Sequence, residues 1–161
     1  MDKSRHFTVL MLCICIFGCQ QSKTRTLVGV WQDYNEMASG WTNTFQFFPD
    51  KRFAFHINSM DCASRDRGYS GTWEIKGENL ILDISSEQVI VGGKVVDAMG
   101  SCATEKDIDG GKPVTKAVSP DRTEKKKISI IKIDRSSNKM EMVEIDGKKY
   151  WKFENDPSKY D

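Results

Sequence analysis

Phe45 and Phe47, then Phe53, Phe55 and Ile57, fall at every second position on either side of the turn Pro49-Asp50-Lys51. Alternation of this kind puts the large side chains on one face of a strand, and so short a connection makes the two strands pair antiparallel. The pattern recurs along the chain. Trp73 and Ile75 lead through Lys76-Gly77-Glu78-Asn79 to Leu80, Leu82 and Ile84, and Val89-Ile90-Val91 faces Val95-Val96 across Gly92-Gly93-Lys94. Ile128 to Ile133 faces Met140 to Ile145 across residues 134–138, and Asp146-Gly147 turns into Lys149-Tyr150-Trp151-Lys152-Phe153. No crossover helix separates these runs, so a parallel sheet is excluded. Only the stretch around Gln32 to Ala38 suggests a short helix. The expected fold is all-β: an antiparallel up-and-down meander of about eight to ten strands that closes into a barrel, because closure removes both sheet edges.

That barrel should occupy residues 27–155, followed by a C-terminal tail at 156–161. One stretch does not fit the meander. Residues 98–124 hold Gly110-Gly111, Pro113, Pro120 and many charges, and they are too long for a hairpin loop. They are expected to form a polar excursion, either a lid or a mobile loop.

The start of the chain obeys different rules. Lys3 and Arg5 precede an almost wholly apolar run from Phe7 to Phe17, which ends at Gly18-Cys19. Eleven helical residues reach only about 16 Å, roughly half of a hydrocarbon core, so the run is too short to span a membrane. A basic end, a short apolar centre and a small residue at the junction are the marks of a signal peptide, here residues 1–18. Ile16-Phe17-Gly18-Cys19 resembles the lipobox of bacterial lipoproteins. The resemblance implies cleavage before Cys19 and a diacylglyceride, palmitate-type lipid on its sulphur. At about 0.8 kcal/mol per buried CH₂, two or three acyl chains hold a protein firmly in a bilayer where one would not. Residues 20–26 then act as a polar spacer. The same resemblance implies localisation in the cell envelope and, with Gln20 after the cysteine, the outer membrane in a Gram-negative organism.

Charge and cysteine content take on meaning once the leader is set aside. The whole chain has 24 Lys+Arg against 23 Asp+Glu and a formal charge of +1. Losing Asp2, Lys3 and Arg5 brings that to zero, which removes the electrostatic footprint that nucleic acid requires. Cys13 and Cys15 leave with the signal, and Cys19 carries lipid. Cys62 and Cys102 remain in an oxidising compartment, both in polar, turn-rich surroundings where a buried free thiol is out of place, so a disulfide between them is expected.

Leu27-Val28-Gly29-Val30-Trp31 is similar to the Gly-x-Trp opening of lipocalin-like domains. Thr44 to Phe53 and Gly71 to Leu80 are similar to the repeated aromatic hairpins of small bacterial lipocalin-like lipoproteins. The resemblance covers most of residues 27–153. It implies that Trp31 plugs the closed end of the barrel and that Gly29 is structural, allowing close approach of a neighbouring strand.

Catalytic chemistry finds little support. His56 is the only histidine after the leader, and it sits opposite the phenylalanines in Phe53-Ala54-Phe55-His56-Ile57, on a face expected to meet solvent. No Gly-x-Ser-x-Gly elbow supplies a nucleophile. Asp107-Ile108-Asp109-Gly110-Gly111 lacks the closing Glu of a calcium loop, and Lys125-Lys126-Lys127 reads as a solvated strand entry. Hence no enzyme, no metal and no cofactor are expected. The functional clue is the aromatic set. Phe45, Phe47, Phe53, Phe55, Trp73 and Trp151 are the expected ligand-binding residues. Met140, Met142 and Phe153 are expected to point inward beside them. An eight-stranded barrel has room for its own side chains or one small ligand. The leading expectation is a lipid-anchored protein that binds a small apolar or amphiphilic ligand. The alternative is a filled barrel that serves as a structural or protein-interaction module with an envelope partner.

Cys19→Ser should abolish incorporation of an alkyne-tagged palmitate and move the protein from the detergent to the aqueous phase on phase partitioning. Unchanged labelling would defeat the lipobox assignment.

Overall fold

A computed structural model describes residues 26–34, 41–100, 102–131 and 141–160. The leader, Cys19, residues 20–25 of the spacer, Met140 and the 134–138 turn lie outside these residues. Eight strands follow one another: β1 (Gly29–Gln32), β2 (Thr44–Phe47), β3 (Arg52–His56), β4 (Asp66–Lys76), β5 (Asn79–Asp97), β6 (Lys106–Ile131), β7 (Met142–Ile145) and β8 (Lys148–Glu154). Each pairs antiparallel with the next, and β8 returns to β1, so the meander is a closed barrel. The expected architecture is therefore present. The helix expected from Gln32 is not, at its first residue: Gln32 is the last residue of β1, and residues 35–40 are outside the described set.

Alternation builds the interior as anticipated in the first half of the barrel. Phe45 lies opposite Phe55 and Phe47 opposite Phe53, while Trp73 faces Leu82 and Ile75 faces Leu80. Phe45, Phe47, Phe53, Trp73, Leu80, Leu82 and Ile84 are all buried in one core. Each such side chain contributes roughly 1.5–3 kcal/mol on burial. Trp31 is 1% exposed, and its Nε1 donates to the Leu27 carbonyl at 2.7 Å. Gly29 has φ +134°, and a Cβ there would lie 2.6 Å from the Glu154 carbonyl oxygen. It sits where β8 closes on β1, so a side chain at this position would wedge the seam open.

In β7 and β8 the inward face is the other one. Val143, Ile145 and Tyr150 are in the core, whereas Met142 and Trp151 are half-buried and Phe153 is 49% exposed. Both faces of these strands carry large apolar residues, so period two alone does not choose between them, and a one-residue slip moves every side chain across the sheet. Closure decides it. Lys152 pairs with Trp31 across the seam, and its ammonium lies 5.3 Å from the Trp31 ring centroid and 3.2 Å from Glu141.

The segment between residues 89 and 124 is also rearranged. There is no hairpin at Gly92-Gly93-Lys94. β5 runs straight through it, with Val89 opposite Val114, Gly92 opposite Gly111 and Val95 opposite Ile108. The expected excursion at 98–124 is mostly ladder: β6 starts at Lys106, and only residues 98–105 connect the two strands. Gly92, Gly93 and Gly110 take φ of 73°, 69° and 70°, a region open to glycine, inside this paired stretch. Turn residues embedded in a strand gave the appearance of a loop.

Beyond β4 the β5–β6 ribbon has no further strand beside it among the described residues, and it is tied down by other means. Cys62 and Cys102 form the expected disulfide, joining the loop after β3 to the ribbon tip. Ala103 N donates to the Met60 carbonyl at 2.8 Å, and Arg65 Nη1 donates to the carbonyls of Ile90 and Gly92 at 3.2 and 2.7 Å. The bridge closes a loop with a sequence separation of 40. Chain entropy for a loop of that size amounts to roughly 4 kcal/mol. Cys102→Ser should lower the free energy of urea unfolding by about that amount, and a midpoint identical to wild type would show that the bridge does not constrain the unfolded chain.

Candidate functional site

Where β2, β3 and β4 reach one end of the barrel, the packed interior gives way to a recess of about 270 Å³. Phe45, Phe55, Tyr69 and Tyr150 form its aromatic wall, with Ile145 beside them and Lys126, Asp146 and Lys148 around them. The rings hold one another. Phe45 and Phe55 have centroids 4.4 Å apart, Phe45 and Tyr150 5.3 Å, and Phe55 and Tyr69 4.9 Å. Burial pushes the hydroxyl pKa of both Tyr69 and Tyr150 upward, with nearby Glu124 adding to it for Tyr69 and Asp33 for Tyr150. Both phenols therefore stay protonated and able to donate.

One wall of this end is charged. Arg122, Glu124 and Lys126 lie directly opposite Ile84, Leu82 and Leu80 across the β5–β6 ladder. Cross-strand neighbours share a face, so these charges belong to the face that carries the core. They neutralise one another in sequence. Arg122 pairs with Glu87 at 2.5 Å and Glu124 at 3.3 Å, and Lys126 pairs with Glu124 at 3.0 Å and Asp146 at 3.8 Å. Lys148 is held by Asp33 at 2.6 Å. Such a row is tolerable because it stands at the open end, where water still reaches the charges. Counting back in twos from buried Ile128 through 126, 124 and 122 would have found it in the sequence.

The residues expected to bind ligand separate into three groups. Phe45 and Phe55 line the recess. Phe47, Phe53 and Trp73 are buried deeper and fill the barrel without lining it. Trp151 lies on the opposite face to Tyr150, away from the interior. Tyr69 and the charged residues were missed because their neighbours in sequence are polar, and Tyr150 because Trp151 beside it offers the other face an equally large residue.

His56 does face outward, but it is covered. The C-terminal 3-10 turn Pro157–Lys159 lies over β2 and β3. Gln46 Nε2 donates to the carbonyls of Pro157 and Tyr160, both at 3.0 Å, and Tyr160 Oη donates to Thr44 Oγ1 at 3.2 Å. This orientation leaves Gln46 Oε1 facing His56 Nε2 at 2.8 Å, so the imidazole is the donor and carries its proton on Nε2. Burial lowers its pKa below the ordinary 6.5. Its ring is engaged with Gln46, which in turn holds the C-terminal segment. Cys62, Cys102 and Asp107 bring ligand-type atoms within 4.8 Å of one another, but both sulphurs are consumed by the disulfide and offer no thiolate to a metal.

No family model, curated protein or solved structure matches the chain.

Because the folded pKa of His56 lies below that of the unfolded chain, the unfolded state takes up the proton first as pH falls. Stability should therefore decline as pH drops through 6.5 and below, and His56→Gln should flatten that part of the profile. Equal pH dependence of the thermal midpoint in both proteins would contradict this account.

Proposed function

We propose that the protein is a lipid-anchored component of the cell envelope whose barrel end binds a small apolar or amphiphilic ligand, acting by binding and not by catalysis. The observation that carries this reading is the recess of about 270 Å³ between Phe45, Phe55, Tyr69 and Tyr150. Its volume falls just under the range of about 300–1,000 Å³ usual for small-molecule pockets, so it suits one ring or the end of one acyl chain. Aromatic faces supply apolar contact, while the protonated Tyr69 and Tyr150 hydroxyls and the rim of Lys126, Asp146 and Lys148 offer polar contact to an amphiphile. The lipobox-like junction supports the anchor. From Cys19 to Leu27 the chain spans at most about 28 Å when extended, which would keep the barrel close to the membrane that holds its lipid.

The alternative, a structural or protein-interaction module, draws on a different observation. Val91, Val95, Val96 and Met99 are exposed along the β5–β6 ribbon, Met99 at 96% and Val95 at 59%. Exposed apolar residues in a row are a usual mark of contact with another protein.

Fluorescence titration with N-phenyl-1-naphthylamine, an apolar probe, separates the two. The binding reading expects saturable one-to-one binding, weakened at least about tenfold by Ile145→Trp, which fills the recess, with the thermal midpoint little changed. Absence of saturable binding to the wild-type protein would favour the interaction module.

A further inference from the structure

The recess holds two kinds of polar group, charges at its rim and phenols in its wall, and only the charges are already engaged. Lys148 is held by Asp33 at 2.6 Å, and Lys126 by Glu124 at 3.0 Å and Asp146 at 3.8 Å. Asp146 Oδ1 also accepts from the Lys127 amide at 2.7 Å. Each rim charge thus faces its opposite. An anionic head would have to displace a carboxylate from a lysine, and a cationic head a lysine from a carboxylate. Either exchange breaks one ion pair to make another and leaves a displaced charge beside the ligand.

The phenols are free. Tyr150 is 5% exposed, and its hydroxyl has no hydrogen-bond partner among the described residues; the Tyr69 hydroxyl has none either. Both residues line the recess. The rings touch in the order Tyr150, Phe45, Phe55, Tyr69, so the two hydroxyl-bearing rings stand at the ends of the aromatic wall. An O–H group in an apolar enclosure is costly without an acceptor, and a ligand that supplies one gains what the protein leaves unmade. From this arrangement we infer that the recess takes an uncharged, flat carbonyl compound, an aryl ketone or a quinone, whose oxygen accepts from Tyr150 and whose ring lies against Phe45 and Phe55. The inference rests on the recess being a ligand site.

A carbonyl is the acceptor that these surroundings suit. Its oxygen has two lone pairs, brings no charge, and carries no hydrogen that would need an acceptor in turn. A ligand hydroxyl would bring such a hydrogen, and the rim carboxylates that could receive it are engaged. Burial, and after it Glu124 near Tyr69 and Asp33 near Tyr150, keep both phenols protonated, so they meet the ligand as donors. The same carboxylates repel a negatively charged acceptor. Flatness follows from the wall: ring-on-ring contact adds to the gain from area burial, and about 270 Å³ accommodates one small ring system.

The test uses the full-length protein and three naphthalenes that differ in one substituent: 2-acetylnaphthalene, 2-isopropylnaphthalene and 2-naphthoate. Titration calorimetry reads their affinities, and infrared difference spectroscopy reads the carbonyl stretch of the bound ketone. Tyr150→Phe keeps the ring and removes the hydroxyl. It should weaken the ketone about three- to tenfold, leave the isopropyl compound unchanged, and return the lowered carbonyl stretch towards its frequency in an apolar solvent. The thermal midpoint should not fall, because no protein group loses a partner. Tyr69→Phe makes the same measurement from the other end of the wall. 2-Naphthoate should bind at least about tenfold more weakly than the ketone. A ketone no more sensitive than the isopropyl compound to both substitutions, an unshifted carbonyl stretch, or naphthoate as the tightest ligand would overturn the carbonyl inference while leaving the recess a ligand site. Binding of N-phenyl-1-naphthylamine without binding of the ketone would do the same. No binding of any of these compounds would remove the ligand site itself.

Discussion

Everything in this barrel depends on the seam between β8 and β1. β1, β2 and β7 each have four residues, and strands so short have no independent stability. They persist because every one of them is hydrogen-bonded on both sides, and that holds only if the last strand returns to the first. The seam needs particular residues. Gly29 admits the Glu154 carbonyl where any Cβ would collide with it. Trp31 fills the interior just behind the seam, and Lys152 closes over its ring with Glu141 as its partner. A charged side chain covering a tryptophan is an economical seal, since the stem excludes water while the ammonium remains near it.

Closure also explains why the two ends of the interior differ. Phe47, Phe53, Trp73 and Ile75 are buried in the core and none of them lines the recess. Towards the other end the wall contributed by β6 changes from Ile128 to Lys126, Glu124 and Arg122, which extend towards water and cannot fill the centre. A gap therefore opens opposite them, bounded by Phe45, Phe55, Tyr69 and Tyr150. The recess is the consequence of setting a charged strand face against an aromatic one.

The sequence was most legible where one face of a strand is apolar and the other is not. Phe45, Phe47, Phe53, Phe55, Trp73, Leu80 and Leu82 satisfy that condition, and their hairpins and pairings were found with the correct inward face. β7 and β8 do not satisfy it. Val143 and Met142, like Tyr150 and Trp151, are adjacent large residues, and only the long-range pairing with β1 determines which of them enters the core. The recess was half visible for the same reason: Phe45 and Phe55 belong to clean alternations, whereas Lys126 and Tyr69 lie in polar surroundings that read as surface. Glycines gave the largest error. Gly92-Gly93 and Gly110-Gly111 are hairpin signals taken singly, yet they face one another across a continuous ladder.

That ladder raises a problem which the same residues resolve. Among the described residues the ribbon past β4 has two unpaired strand edges, and exposed edges invite pairing with other chains. On the β5 side the Arg65 guanidinium occupies the carbonyls of Ile90 and Gly92, while Arg65 O accepts from Ile90 N at 2.7 Å. On the β6 side Lys112, Pro113, Lys116 and Pro120 interrupt the edge with charge and with nitrogens that cannot donate. The disulfide and the Ala103–Met60 hydrogen bond then hold the tip against the loop after β3. Polar, proline-bearing sequence is thus what a strand outside the barrel requires, and the composition that argued for a loop at 98–124 is the composition that keeps this edge soluble.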